Sequence, residues 1–427
     1  MRYSLSRVLR ACCLLMPLLA TGAHAQDSAS PLTLRQAIDA ALSGNPELAV
    51  FAFEFRAEDA RTQQASLRPA PELSTDIENI LGSGEASGTN SAEFTLALSQ
   101  VIELGGKRDA RVSVAQARRS AIEVDRQIRQ LDVLAEVTRR YIAVGSLQEH
   151  VRLAGIGRAL AQKTIAGAEK RVNAAKSPHV ELDRAHIALD RARLVEQRTA
   201  AQLEAARKQL AATWGESTPI IDGRPFGEVV ADLYKLQSVD DFQELLARLD
   251  ANTDFLRFAS EARVRDAELR LATTLRKPDV TLGGGMRRLE ATQDQAFVAS
   301  ISMPLFSGRR ATSVIAESRA VRERVDVDRQ IAAIKAKTTL YELHSELGLA
   351  VLEARTLMND TLPRSREALT ETEYAYERGR YSYLELVDAQ REYLSVESEL
   401  IDAATAAHLM RAEIERLTNA PLAREPS

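Results

Sequence analysis

The sequence has almost no cysteine: of its 427 residues only Cys12 and Cys13 carry thiols, and both lie within the first 25. A chain cleaved after residue 25 could form no disulfide and offer no thiolate to a metal. Aromatic residues make up only 5% of the total, as expected of long helices joined along narrow seams. Beyond the leader, no stretch approaches the ~18 uninterrupted apolar residues that read as a transmembrane helix. Basic residues are not in excess, and a net charge of −4 argues against nucleic-acid binding. No phosphate loop, nucleophile elbow or acid/base constellation is present. His179 and His186 are seven apart, and His150, His344 and His408 are isolated. None has the i, i+4 or Cys/His spacing of a zinc site. These absences predict a chain that is not an enzyme and has no catalytic residue, cofactor or resident metal.

What is present begins with Arg2, Arg7 and Arg10, an apolar run from Ala11 to Ala20, and the small-residue site Ala23-His24-Ala25. This is the pattern of a secretory signal peptide over residues 1–25. Cleavage would leave 402 residues starting at Gln26 and, with three arginines gone, a net charge of −7. The cysteines stand at the start of the apolar run instead of ending it, which argues against lipidation.

The remainder repeats itself. Asn45 to Pro71 and Asn252 to Pro278 span the same distance at an offset of 207, each a charged helical stretch ended by proline. Phe94 to Ser99 is mirrored by Phe297 to Ser302, Gly106-Lys107-Arg108 by Gly308-Arg309-Arg310, and Asp125 to Ile128 by Asp328 to Ile331. Near the end, Leu386, Ala389, Tyr393, Val396, Leu400, Ala403, Ala407, Met410, Ile414 and Leu417 follow the 3-4 spacing of a left-handed coiled-coil seam. Subtracting 204 gives Leu182, Ala185, Leu189, Ala192, Glu196, Thr199, Leu203, Ala206, Leu210 and Thr213, the same seam with three polar substitutions. The fold class expected is mostly α with a small β part, in two tandem helix-hairpin-helix repeats over 26–214 and 241–420. Residues 215–240 form an aperiodic linker and 421–427 a tail. From Lys107 to Lys176 there is no proline, so a helix of about 105 Å could run there. A break is expected near Gly145 or around Gly155 to Gly157.

Four segments alternate with period two: about 72–81, 93–103, 279–288 and 296–305, each the length of a tilted transmembrane strand. Alternation alone fits two amphipathic hairpins packed on helices equally well. Four strands cannot close a barrel, and an open edge cannot sit in lipid. Two chains would give eight strands, and three would give twelve with room for a lumen.

Arg68-Pro69-Ala70-Pro71-Glu72-Leu73, Glu78-Asn79 and the run Leu98 to Arg108 (LSQVIELGGKR) resemble the outer-membrane component of cobalt-zinc-cadmium resistance systems. Met303 to Arg310 (MPLFSGRR) resembles the wider family of TolC-type outer-membrane efflux proteins. The resemblance implies a homotrimer with a 12-stranded barrel in outer-membrane lipid and a long coiled-coil α-barrel in the periplasm of a Gram-negative bacterium. It also implies a periplasmic adaptor (membrane-fusion) protein and an inner-membrane RND-type pump as partners, with passive export of divalent heavy-metal cations. The alternatives are the same channel for organic solutes or type I secretion, and a pore-less periplasmic coiled-coil scaffold.

Two turns resemble the periplasmic tips that meet the adaptor: Lys176-Ser177-Pro178, and Gly379-Arg380-Tyr381-Ser382. Gly379 can take a positive φ, and Ser177 and Ser382 are expected to cap the helices that follow. Glu385 and Asp388 lie at i and i+3, where the resemblance implies a ring of carboxylates around a narrow entrance. Their counterparts are Glu181 and Arg184, so the first half keeps only half of that pattern. A solvated face at a helix N-terminus would explain the same acidic residues.

Overall fold

The computed structural model describes residues 30–419; the expected signal peptide and the 421–427 tail lie outside them. Strand β1 (Ser30–Leu32) leads into α1 (Leu34–Gly44) and α2 (Pro46–Ser66), then β2 (Glu72–Glu78), β3 (Glu93–Ile102), α3 (Lys107–Asn173) and α4 (His179–Ala212). After a short hairpin of β4 (Ile220–Ile221) and β5 (Arg224–Val229), the same order returns. It runs through α5 (Phe242–Leu249), α6 (Asp254–Thr274), β6 (Val280–Leu289), β7 (Gln295–Ser302), α7 (Ser307–Thr356), α8 (Leu362–Glu377) and α9 (Tyr383–Thr418). No described helix is long and apolar enough to cross a membrane.

Helix α3 is the spine. Its 67 residues extend about 100 Å at 1.5 Å per residue, with α2 and α6 along one end and α4 and α9 along the other. It has no break, contrary to the expectation at Gly145 or Gly155 to Gly157. Gly145 and Gly157 serve close packing instead: a Cβ on Gly145 would lie 2.7 Å from that of Ala231, and one on Gly157 3.4 Å from Leu394 Cδ1. The interruption falls in the other half, where a π turn over Leu357–Thr361 separates α7 from α8, and Pro363 occupies the first turn of α8. Proline cannot donate to the preceding turn, so the helical ladder is rearranged there.

Both seams are occupied. On α9, Leu386, Tyr393, Val396, Leu400, Ala403, Ala407 and Ile414 are buried and Ala389, Met410 and Leu417 half-buried. On α4, Ala185, Leu189, Thr199, Leu203, Ala206, Leu210 and Thr213 are buried and Leu182, Ala192 and Glu196 half-buried. Each fully buried leucine contributes about 2 kcal/mol. Asn45 and Asn252 act alike in the two halves. Asn45 caps α2 through Oδ1 and donates Nδ2 to the Thr213 carbonyl at 2.7 Å; Asn252 accepts from the Asp254 N–H and donates to the Leu417 carbonyl at 2.6 Å.

Residues 215–240 contain more than the expected aperiodic linker. Strand β5 pairs with β4 and, in parallel, with β1 from the start of the chain. Around this sheet Leu32, Val137, Tyr141, Leu210, Trp214 and Phe226 form a core. The Tyr141 hydroxyl bonds to the Leu32 and Val230 carbonyls at 2.9 and 2.6 Å, and Trp214 Nε1 donates to the Ile220 carbonyl.

The four expected strands make one antiparallel sheet in the order β2-β3-β6-β7. The first ends at Glu78 and not at residue 81, because Asn79 and Leu81 take φ of +56° and +59°. The register divides the sheet into two faces. One carries Leu73, Ile77, Phe94, Leu96, Leu98, Leu282, Met286, Phe297 and Ile301. The other carries Glu72, Asp76, Glu78, Glu93, Thr95, Ser99, Arg287 and Ser300.

Candidate functional site

At the end of the helices remote from the sheet, α3 and α8 stop in the same way. Lys176 N–H reaches back to the Arg171 carbonyl at 2.8 Å, and Arg380 N–H to the Ala375 carbonyl at 2.9 Å. Such a closure requires a left-handed residue just before it: Gly379 supplies it with φ +75°, whereas the first turn uses Ala175 with φ +52°. Lys176, Pro178, Gly379, Arg380, Tyr381 and Ser382 are exposed and Ser177 half-buried.

The two turns are joined by a residue that the sequence did not mark. Arg171 donates Nε to Ser177 Oγ at 2.9 Å, and Nη1 to the carbonyls of Tyr376 and Tyr381 at 2.9 and 3.3 Å. Its guanidinium also lies 4.6 Å from the centroid of the Tyr376 ring, a favourable cation–π position. Ser177 is therefore not the cap of α4. Pro178 occupies that position without a side-chain bond, and the serine hydroxyl is turned to Arg171.

Ser382 does cap α9. Its hydroxyl accepts from Glu385 N–H, and the Glu385 carboxylate accepts from Ser382 N–H at 2.6 Å, a reciprocal capping box. The bond from the Ser382 backbone holds the Glu385 carboxyl below the usual carboxylate range. Glu385 is thus committed to its own helix, while Asp388 projects into solvent with 83% of its side chain exposed and Arg391 3.6 Å away.

Glu181 and Arg184 are placed differently from their second-half counterparts. Glu181 is half-buried, with Oε2 shielded and without a hydrogen-bond partner. Burial raises the hydroxyl pKa of both Tyr376 and Tyr383, and the Glu181 charge adds to the effect. Arg171 opposes it at Tyr376 and Arg184 at Tyr383. Glu181 therefore belongs to the contact between the two turns, where Ala168, Ala185, Tyr376, Tyr383 and Leu386 also meet, whereas Arg184 stands exposed beside it.

At the other end, the motif LSQVIELGGKR builds the corner from strand to helix. Gly105 and Gly106 take φ of +84° and +75°, and Asp279 accepts from Leu104 N–H at 3.2 Å and pairs with Lys107 at 2.7 Å. Glu103 pairs with Arg111, whose guanidinium also reaches the Leu67 carbonyl. These residues hold the sheet to the helices. Among the described residues, no group of three or more His, Cys, Asp or Glu side chains is arranged to hold a metal ion.

Residues 37–216 match the family described as outer membrane efflux protein. The chain is 27% identical over 391 residues to the cobalt-zinc-cadmium resistance protein CzcC of Cupriavidus metallidurans, covering 89% of this chain and 90% of that one. It is 28% identical to the nickel and cobalt resistance protein CnrC of the same organism over 62% of each chain. Its fold matches the crystal structure of CusC, described in connection with transmembrane channel formation. That match has a TM-score of 0.71 and 17% identity, covering 91% of this chain and 92% of that one. Over residues 37–216 the chain is thus similar to the outer membrane efflux proteins, along 89% of its length it is similar to CzcC, and it shares the fold of CusC.

Proposed function

We propose that three copies of this chain close a 12-stranded barrel in the outer membrane, continued by a helical tunnel into the periplasm. The observation that carries this is the sheet. Its apolar face is bare, with Phe297 88% and Ile301 77% exposed, and among the described residues its edge strands β2 and β7 pair with no further strand. Such a face fits lipid, and such edges can enter lipid only when other strands complete a closed barrel. The polar face then lines the lumen. The halves 26–214 and 241–420 serve as repeats, and residues 215–240 form the girdle between them.

The cargo we assign is the divalent heavy-metal cation, in keeping with the metal-resistance names of CzcC and CnrC. The channel would be passive, receiving its cargo through a periplasmic adaptor from an inner-membrane pump. The tips Lys176 to Pro178 and Gly379 to Ser382 would face the adaptor. Asp388, with Glu385 behind it, would border the entrance. Heat-modifiable trimer bands in the outer-membrane fraction, and loss of tolerance to zinc, cobalt, cadmium or nickel on deletion, are expected. A purely soluble periplasmic protein would sink the barrel, and unchanged metal tolerance would sink the cargo.

A further inference from the structure

The polar face of the sheet carries Glu72, Asp76, Glu78 and Glu93 against a single basic residue, Arg287, a formal charge of −3. Arg287 stands on β6, yet its side chain crosses two strands. Nε donates to Thr95 Oγ1 at 2.9 Å, Nη1 to Glu93 Oε2 at 2.6 Å, and Nη2 to Glu78 Oε2 at 2.9 Å. Glu93 is held from its other side by Asn79 Nδ2 at 2.9 Å. The cluster lies beside the hairpin turns 79–92 and 290–294, at the end of the sheet away from the helices.

We propose that Arg287 is the specificity-determining residue of the distal mouth, tempering its negative charge so that divalent cations pass without being retained. This rests on the reading of the polar face as the lumen. Conduction through a charged ring requires binding strong enough to admit an ion and weak enough to release it. Without Arg287, Asp76, Glu78 and Glu93 would stand unbalanced toward the distal end of every chain's sheet, and a divalent cation feels each of those charges twice over. A purely structural bridge across three strands needs donors but no net charge; the full positive charge is what alters an ion's residence.

The test is ion selectivity and zinc block of the purified full-length protein in planar bilayers. In Arg287→Gln, the cation-to-anion permeability ratio in 0.1 M potassium chloride is expected to rise about twofold. The zinc chloride concentration that halves the potassium current should fall about tenfold. Both effects should fade at 1 M salt, where the screening length is about 3 Å, and Arg287→Lys should behave as the parent. A pore that is merely distorted would keep its altered conductance at 1 M. If Arg287→Gln yields no trimers, Glu78→Gln with Glu93→Gln reads the same charge from the other side, and cation preference should fall. Channels whose selectivity and zinc block are unaltered by these changes would overturn the proposal. A parent protein that conducts nothing would instead overturn the channel reading on which it rests.

Discussion

Arg171 donates to the backbone carbonyl of Tyr376 at 2.9 Å while its guanidinium lies 4.6 Å from the centroid of the same residue's ring. One side chain on α3 thereby fastens the turn after α8, and through Ser177 and the Tyr381 carbonyl it ties both turns together. Hydrogen bonds from a charged donor contribute about 1.5–3 kcal/mol each. Arg171→Ala should therefore raise amide exchange over residues 174–177 and 379–382 by about tenfold or more. Exchange confined to one turn would show that the clasp does not couple them.

Ala175 holds the left-handed conformation that Gly379 supplies in the other turn. An L-residue there carries a strain of about 1–2 kcal/mol, partly offset by the larger unfolded-state freedom of glycine. Ala175→Gly should stabilise the first turn by about 0.5–1 kcal/mol. Slower amide exchange at residues 174–177 would register it, and faster exchange would contradict it.

The capping box at Ser382 and Glu385 depends on pH in one direction. The carboxyl of Glu385 is lower in the folded chain than in the unfolded one, so its contribution is complete above the ordinary carboxylate range. It disappears as pH falls through the lowered value. Ser382→Ala should fray the first turn of α9 by about 1 kcal/mol. In Glu385→Gln, the pH dependence of exchange at residues 383–386 below the carboxylate range should vanish; its persistence would place the titrating group elsewhere.

Asp388 and Glu385 can be separated by charge and fold. Asp388→Asn removes an exposed carboxylate that takes no part in the cap, so single-channel cation selectivity should drop with helix stability unchanged. Glu385→Gln should move stability at least as much as selectivity. Equal selectivity in the parent and Asp388→Asn would remove Asp388 from the entrance.

Gly145 packs against Ala231, with no room for a side chain. Gly145→Ala gains helix propensity of about 1 kcal/mol but forces residues 229–233 off α3, at an overpacking cost of about 1–3 kcal/mol. A net fall in the thermal midpoint of helical circular dichroism is expected. A rise would mean that the segment moves freely aside.

The strands and seams were legible because their signal is periodic and local: two-residue alternation from Phe94 to Ser99, and a 3-4 spacing from Leu386 to Leu417. Pairing at long sequence range was not. β5 finds β1 almost two hundred residues away, so residues 215–240 looked patternless. The tips were located by Pro178 and Gly379, yet the clasp was invisible, since Arg171 is one basic residue among many on a charged helix. The misplaced helix break has a physical origin too. Glycine in a helix signals either weakness or contact, and at Gly145 and Gly157 it signals contact. The actual disruption needed the missing N–H of Pro363.

That disruption has a mechanical reading. Helix α3 is a single stiff rod, whereas the matching path through α7 and α8 is articulated at Leu357–Thr361. In a ring of three chains, stiff and jointed staves would alternate six times around the tunnel wall. Bending would be confined to every second stave, so the tunnel would dilate as a triangle does, and not as a circle.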